Sequence, residues 1–80
     1  KVEALGGLAL KLIILGMAGW FDRTILLPGG RILFVEFKRP KRGVVSKLQH
    51  RWRVLVTQLG FKVYTIDNDA AFDAALEENL

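Results

Sequence analysis

Residues 22–38 read Asp-Arg-Thr-Ile-Leu-Leu-Pro-Gly-Gly-Arg-Ile-Leu-Phe-Val-Glu-Phe-Lys, two mainly apolar runs on either side of a Pro-Gly-Gly turn. Apolar runs that flank a short glycine-containing turn are typical of a β-hairpin. We therefore predict a strand over 22–27, a turn over 28–30 and a second strand over 32–38. The last three residues of the second run introduce a carboxylate and an ammonium group.

The length of the hairpin loop decides which side chains share a face of the sheet. A three-residue loop with glycine in the left-handed conformation pairs Leu27 with Arg31, and the same register sets Asp22 opposite Glu36. A two-residue Gly-Gly loop would instead set Asp22 opposite Phe37 and send its carboxylate to the other face. Only the first register brings the two carboxylates together.

The segments around the hairpin predict one small α/β domain over residues 1–80. In chain order we expect the end of a helix over 1–5 stopped by Gly6-Gly7, a strand over 8–15, a loop over 16–19, the hairpin, a basic loop over 39–43, a helix capped by Ser46 and running to about Leu59, a strand over 61–66 and a helix over 68–78. The order is α-β-β-β-α-β-α. The third and fourth strands are far enough apart for a crossover, so we expect a small mixed sheet flanked by helices.

Apolar residues at helical spacing predict the buried side of each helix. The inward set of the first long helix is Leu48, Trp52, Leu55, Val56 and Leu59, and that of the last helix is Ala71, Phe72, Ala75 and Leu76. Core packing is therefore the expected role of Trp52.

The composition excludes several classes of protein. The chain has 80 residues, 51% of them hydrophobic, which is enough for one small globular domain. Because there is no cysteine, a disulfide framework and a thiolate zinc site are excluded, and the single histidine, His50, argues against a zinc-histidine centre. The apolar run over 8–15 is too short to span a bilayer, and no signal-peptide pattern precedes it. We expect a cytoplasmic protein with no membrane partner.

Charge is distributed unevenly along a chain of net charge +4. Positions 38–53 hold seven basic residues and no acid, whereas positions 67–78 hold five acids and no base. A basic segment alone is more often a solvated surface, but beside a carboxylate pair it suits a polyanion such as DNA or RNA. The residues that we predict to bind DNA are Arg23, Arg39, Lys41, Arg42, Lys47 and Arg51.

Asp22, Glu36 and Lys38 form the candidate catalytic set. Glu36 and Lys38 lie two residues apart in a strand and so share a face, where a buried charge is costly unless it is paired or bound to a metal. Two carboxylates suit Mg²⁺ or Mn²⁺ and metal-assisted phosphodiester hydrolysis, with the Phe37 backbone carbonyl as a third ligand. Lys38 could contact the scissile phosphate, orient the attacking water or assist its deprotonation. The simpler alternative is a pair of structural ion bridges, Asp22–Lys38 and Glu36–Arg23.

Gln49 has two interpretations. In Ser46-Lys47-Leu48-Gln49 it is the third residue after a serine cap, where a glutamine side chain bonds back to the backbone in a capping box. Alternatively, it points from the first turn of the helix towards the carboxylates. The local sequence favours neither interpretation.

Five short motifs occur in a characteristic order and spacing. They are Gly19-Trp20-Phe21-Asp22-Arg23, Leu27-Pro28-Gly29-Gly30-Arg31, Phe34-Val35-Glu36-Phe37-Lys38-Arg39-Pro40, Ser46-Lys47-Leu48-Gln49 and Leu59-Gly60-Phe61-Lys62-Val63. Together they resemble the VRR-NUC family, virus-type replication-repair nucleases of the PD-(D/E)XK superfamily. The resemblance implies that Asp22 and Glu36 are metal ligands, that Lys38 is the catalytic lysine and that Gln49 is the family's helix glutamine.

The chain departs from the family pattern at two places. Phe21 stands where the family usually has a proline before the aspartate. The family's first helix also carries a glutamate near the metal, and Glu3 lies too close to Gly6-Gly7 to match it. That glutamate either lies before Lys1 or is lacking.

The resemblance implies a DNA endonuclease that depends on Mg²⁺ or Mn²⁺. Stand-alone members of this size resemble phage nucleases that dimerise and cut branched DNA, so we expect a homodimer similar to Holliday junction resolvases, acting in the host cytoplasm if phage-encoded. The alternatives are a restriction- or repair-type nuclease on linear duplex or flap DNA, and a catalytically inactive DNA-binding module.

Overall fold

The computed structural model describes residues 1–38 and 47–80. Its elements follow the predicted order, with a 3₁₀ turn at Glu3–Leu5 in place of the end of a helix. The strands are β1 (Leu8–Leu10), β2 (Arg23–Leu27), β3 (Arg31–Phe37) and β4 (Lys62–Ile66), and the helices are α1 (Lys47–Gln58) and α2 (Asp69–Glu78). The predicted basic loop over 39–43 and the Ser46 cap lie outside the described residues.

The four strands form one mixed sheet in the order β1-β2-β3-β4. Neighbours among β1, β2 and β3 pair antiparallel, whereas β3 and β4 pair parallel. Parallel neighbours need a crossover connection, and α1 lies in that connection. The predicted mixed sheet with flanking helices is therefore confirmed.

The β2–β3 hairpin has the three-residue register. Leu27 pairs with Arg31, and each earlier residue of β2 pairs one step further along β3. Gly30 has φ of 74°, in the left-handed region where glycine has no Cβ to clash. Continued by one position beyond β2, this register sets Asp22 opposite Glu36, on the same face of the sheet.

Successive residues of β3 point to opposite faces of the sheet, and each face has its own core cluster. On one face, residues of α2 join a cluster that includes Leu33 and Val35. On the other face, a smaller cluster joins Phe34 to Val56 of α1. Glu36 is two residues beyond Phe34 in the strand, so its side chain lies on the α1 face. Because both faces of β3 are covered, its sequence is a nearly unbroken apolar run.

The first strand is shorter than the sequence predicts. The strand expected over 8–15 stops at Leu10, which pairs with Thr24 near the start of β2. The residues that follow have almost no neighbouring strand left to pair with, and Ile13 and Leu15 are 87% and 95% exposed. The prediction over 11–15 was wrong because a strand needs a hydrogen-bonding partner, which the apolar character of a run does not guarantee.

The buried side of α1 is rotated away from the predicted apolar face. Val56 is buried and Trp52 is half-buried, as predicted. Three leucines expected to point inward are exposed instead: Leu48, Leu55 and Leu59. The inward stripe also contains Gln49 and Arg53, which are both half-buried. At about 100° per residue, Gln49, Trp52, Arg53 and Val56 form one continuous band along the helix. The helix therefore presents two polar side chains, Gln49 and Arg53, along one edge of its inward side.

The second helix matches its prediction. The Asn68 side chain caps it by accepting a hydrogen bond of 2.8 Å from the Ala71 N–H. Ala75 and Leu76 are buried, and Phe72 packs against the same cluster. Neither α2 nor any other helix in the described ranges has the length and hydropathy needed to cross a membrane.

Candidate active site

The hairpin brings two carboxylates to the carboxyl end of β3. Asp22 immediately precedes β2 and lies opposite Glu36 in the hairpin register. Its Oδ2 accepts a hydrogen bond of 2.7 Å from the Phe37 N–H, which holds the Asp22 side chain against the end of β3. The two carboxylates therefore share one corner of the sheet. Their role as metal ligands stays a prediction.

Glu36 is a buried carboxylate without a hydrogen-bond partner in the part of the chain that the structure describes. The residue is 3% exposed, and no donor of residues 1–38 or 47–80 lies within hydrogen-bond distance of either carboxylate oxygen. Burial raises the pKa of Glu36; Arg53 lowers it, Asp22 raises it further, His50 lowers it, and the net pKa lies above the ordinary value. Leaving buried charged oxygens unpaired costs free energy, and an unsatisfied buried polar group calls for an explanation such as a bound ion.

Structural ion pairs between described residues do not account for these carboxylates. The Arg23 guanidinium donates to the backbone oxygen of Asp22 at 2.7 Å, not to Glu36. Among the described residues, the ion pairs within 4.0 Å all involve Lys1, so neither Asp22–Lys38 nor Glu36–Arg23 forms. The simpler interpretation of the sequence is therefore wrong at this site.

The donor set fits a hard divalent cation. Asp22 and Glu36 offer carboxylate oxygens, and those of Glu36 are buried with no hydrogen-bond donor among the described residues. Within residues 1–38 and 47–80, no three carboxylate, histidine or cysteine side chains cluster closely enough to enclose a metal by themselves. Mg²⁺ commonly binds through one or two carboxylates and keeps several waters, which is the arrangement that this site can support. The Phe37 carbonyl stays a predicted third ligand.

Lys38 lies just beyond β3 and is exposed. Its backbone N–H donates to the Ile66 carbonyl at 2.8 Å, so the pairing with β4 extends to the position of the lysine. Continued beyond β3, strand alternation predicts that its side chain shares the face of Glu36. Its position is compatible with any of the three roles that the sequence allows.

The loop before Asp22 is clamped against the start of α1. A Cβ added to Gly19 would meet the Leu48 Cβ at 2.7 Å and the Gln49 backbone nitrogen at 3.3 Å. The Trp52 indole N–H donates to the Ala18 carbonyl at 2.8 Å. This close packing fixes the first turn of α1, and with it the half-buried Gln49, relative to the loop that leads into the site.

Aromatic rings fill the space beneath this loop. Phe21 is 2% exposed and lies with its ring centroid 5.0 Å from those of Trp20 and Phe34. Trp52 joins the same cluster from α1, which confirms its predicted packing role. The aromatic residue at position 21 therefore anchors the chain next to Asp22 through burial.

The residues predicted to bind DNA are not all on the site face. Lys47 and Arg51 are exposed, and each is two residues from Gln49, about 160° around the helix from it. The Arg51 guanidinium lies 5.9 Å from the centre of the Trp52 ring. Arg23 is half-buried beside Asp22. The other three predicted contacts, Arg39, Lys41 and Arg42, lie outside the described residues.

Two basic residues near Glu36 were missing from the predicted site. Arg53 and His50 both lower the pKa of Glu36 against the larger effect of burial. The Arg53 guanidinium donates to the Thr65 hydroxyl, and Thr65 sits beside Glu36 in the parallel β3–β4 register. The available signal was helical spacing, because Arg53 follows Gln49 by four residues and so shares its face.

Comparisons with known proteins find two similar chains. The chain is 35% identical over 69 residues to "Putative nuclease p44" of Acyrthosiphon pisum secondary endosymbiont phage 1, covering 85% of this chain and 72% of that protein. It is similar to a solved structure described as a VRR_NUC domain, with a TM-score of 0.84 and 33% identity, covering 95% of this chain and 82% of that one. No protein-family model matches the sequence. The fold is thus the α/β fold of the PD-(D/E)XK nucleases, and the chain belongs to the VRR-NUC family of nucleases.

Proposed function

We propose that this protein is a DNA endonuclease that depends on Mg²⁺ or Mn²⁺ and hydrolyses phosphodiester bonds at the Asp22–Glu36 corner. The observation that carries the proposal is Glu36, a 3% exposed carboxylate whose two oxygens have no partner, beside a second carboxylate. A divalent cation bound there would offset the charge and satisfy the oxygens. Family membership makes nucleic acid the expected source of the phosphodiester.

Each group of the site has a separate role in the proposed hydrolysis. Asp22, Glu36 and the Phe37 carbonyl would hold the cation, which when bound neutralises phosphoryl charge and acidifies a water. Lys38 lies at the mouth of the site, where its ammonium meets the scissile phosphate. Gln49 approaches from the first turn of α1 and orients the attacking water through its amide.

Single substitutions test the site. Asp22→Ala, Glu36→Ala and Lys38→Ala should each reduce cleavage by about two orders of magnitude or more, because each removes a ligand or the lysine. Glu77→Ala and Lys62→Ala are matched controls, since both residues are exposed and far from the site along the chain. Cleavage is measured with Mg²⁺, Mn²⁺ or EDTA, and circular dichroism checks folding. Full activity in either site carboxylate variant would exclude the metal site.

We further propose a homodimer that cuts four-way junctions. Leu12, Ile13 and Leu15 are 41%, 87% and 95% exposed, and consecutive exposed apolar side chains of this kind mark interfaces. A two-fold dimer would cover them and present two metal sites to two strands. Light scattering should give a dimer mass, and Ile13→Glu with Leu15→Glu should give a monomer that no longer makes paired incisions. A monomeric wild-type enzyme that resolves junctions would contradict this arrangement.

Substrate choice is tested with junction, flap and linear duplex DNA in parallel. Preference for the junction supports the resolvase-like enzyme, whereas preference for flap or linear DNA supports the restriction- or repair-type alternative. Binding without cleavage under every metal condition would identify an inactive DNA-binding module. Because the similar phage protein is named as a nuclease, we place the reaction in the host cytoplasm, where phage DNA is found.

The basic segment after β3 is the proposed path of the DNA backbone. Neutralising Arg39, Lys41 and Arg42 together should weaken binding equally for all sequences and reduce the slope of log affinity against log salt by roughly one unit per lost phosphate contact. Fluorescence anisotropy at several salt concentrations measures both effects. An unchanged slope would mean that the DNA follows another path.

A further inference from the structure

Arg53 occupies an unusual position for a basic residue of α1. It is half-buried, whereas Lys47, His50 and Arg51 on the same helix are exposed. Its guanidinium donates to the Thr65 hydroxyl on β4. This bond holds the guanidinium against β4, the strand next to β3, at the level of Glu36.

The Arg53–Thr65 hydrogen bond places a positive charge beside the site without pairing it with Glu36. Thr65 is the β4 partner of Glu36 in the parallel register. The Arg53 guanidinium is therefore held next to the strand position of Glu36. Nevertheless, no hydrogen bond joins the two side chains, since both Glu36 oxygens are without a partner. The guanidinium is therefore a neighbour of the carboxylate and not its ion-pair partner.

A purely structural role would predict a different arrangement. A buried guanidinium is stabilised best by a bidentate carboxylate. The carboxylate of Glu36, which pairs with Thr65 in the β3–β4 register, would be the expected partner. Instead, Arg53 bonds a neutral hydroxyl, and no carboxylate among the described residues lies within ion-pair distance of it. A guanidinium carries five N–H donors. The bond to Thr65 leaves donors for an anion arriving at the site.

Among the basic residues of α1, Arg53 is closest in helical position to Gln49. It follows Gln49 by four residues, about 40° around the helix, whereas Lys47 and Arg51 lie about 160° away. A phosphate that entered between α1 and the end of β3 would therefore meet Arg53, not the two exposed basic residues on the outer face.

We propose that Arg53 binds the DNA phosphate at the Asp22–Glu36 site, with Thr65 as the residue that positions its guanidinium. The proposal rests on the nuclease function proposed above and adds a residue to its substrate-binding machinery. It separates the α1 cations into an inner phosphate ligand, Arg53, and outer residues that contribute only general attraction to DNA.

The test compares Arg53→Gln, Arg53→Lys and Thr65→Val with Lys62→Gln as a matched control. Lys62 also loses one positive charge, is exposed, and lies three residues before Thr65 on β4, about 10 Å away. Anisotropy of labelled duplex and four-way junction DNA is measured in EDTA and in CaCl₂ over a range of salt. Single-turnover cleavage is measured with Mg²⁺.

Arg53→Gln should reduce the salt slope by about one unit, because one phosphate contact is lost, and should slow single-turnover cleavage at least tenfold. Arg53→Lys should keep the slope but not the cleavage rate, since an ammonium cannot reproduce the two-pronged geometry of a guanidinium. Thr65→Val should likewise keep the slope and slow cleavage several-fold. Lys62→Gln should leave the cleavage rate unchanged.

The outcomes separate this inference from the proposed function. If the wild-type enzyme cleaves DNA and Arg53→Gln matches Lys62→Gln in slope and rate, the phosphate role of Arg53 is wrong while the nuclease proposal stands. If Arg53→Gln does not fold, Arg53→Lys decides, because a wild-type cleavage rate in that variant would refute the specific guanidinium contact. A wild-type protein that neither binds nor cuts DNA would overturn both.

Discussion

Removing the charge of Glu36 should make the metal-free protein more stable. Glu36→Gln keeps the shape of a side chain that is 3% exposed but removes a carboxylate whose oxygens have no partner. An unsatisfied buried group costs about 1–3 kcal/mol, and more when it is charged. The amide keeps part of this cost, and Arg53 already offsets part of the charge, so we expect a net gain of about 1–2 kcal/mol in the free energy of unfolding. For a domain of this size each kcal/mol corresponds to about 4–8 °C in Tm.

The gain should depend on pH with a defined sign. The folded-state pKa of Glu36 is raised above the reference value of 4.5, first of all by burial. A group with a raised folded-state pKa contributes stability that is fully present below the unfolded-state pKa and is lost as pH rises through the folded-state pKa. The difference between Glu36→Gln and wild type should therefore be small near pH 4 and largest at pH 7 and above. The pH dependence contributed by all other acidic groups is the same in both proteins and cancels in this difference.

Thermal unfolding in EDTA and in Mg²⁺ or Mn²⁺ provides the assay. A ligand that binds only the folded state at 100 times its Kd adds about 2.7 kcal/mol, so the metal should stabilise wild type and not Glu36→Gln. Glu77→Gln is the control, since Glu77 is exposed and should change stability by less than about 0.5 kcal/mol. A Glu36→Gln variant that is less stable than wild type in EDTA at pH 7.5, and equally stabilised by metal, would refute the cation site.

Four further substitutions test the scaffold, each by urea denaturation followed with circular dichroism. Gly19→Ala should destabilise by about 1–3 kcal/mol, because its Cβ would lie 2.7 Å from the Leu48 Cβ and its φ is +78°; a neutral result would mean that the loop does not clamp α1. Ile25→Ala should cost about 2–5 kcal/mol because Ile25 is 0% exposed, whereas Ile13→Ala, at 87% exposure, should cost under about 0.5 kcal/mol in the monomer. Asn68→Ala should cost about 1 kcal/mol through loss of the α2 cap, and no change would show that the cap is replaced by water.

The features that the sequence predicted correctly are those with local causes. The register of the hairpin depends on the conformation of three turn residues, and the placement of Asp22 opposite Glu36 follows from it by counting. The Asn68 cap and the inward residues of α2 are likewise set within one helix. Fold class followed because a long connection between strands permits a parallel pair.

The features that the sequence did not predict depend on distant contacts. The rotation of α1 about its axis is set by its packing on β4 and on the loop at Gly19, so hydrophobic spacing wrongly favoured Leu55 and Leu59 over Gln49 and Arg53 as inward residues. The partner of Arg53 is twelve residues away on another element. The early end of β1 depended on where a different strand begins. A short stretch of sequence does not contain the information that determines any of these features.

The turn over 28–30 gives this small enzyme a point of failure far from its chemistry. At about 3.4 Å per residue, the five steps from Arg31 to Glu36 separate turn and carboxylates by about 17 Å. Loss of a single glycine there leaves Pro28 and one glycine, and proline cannot take the positive φ that two-residue hairpin turns need at their first position. Keeping a three-residue loop would draw Arg31 into the turn, pair Leu27 with Ile32 and turn the Asp22 carboxylate to the opposite face. The resulting protein would keep every side chain of the proposed site in its sequence and still be unable to assemble them. Single-residue deletions in this turn should therefore be inactivating, even though no atom of the turn touches the site.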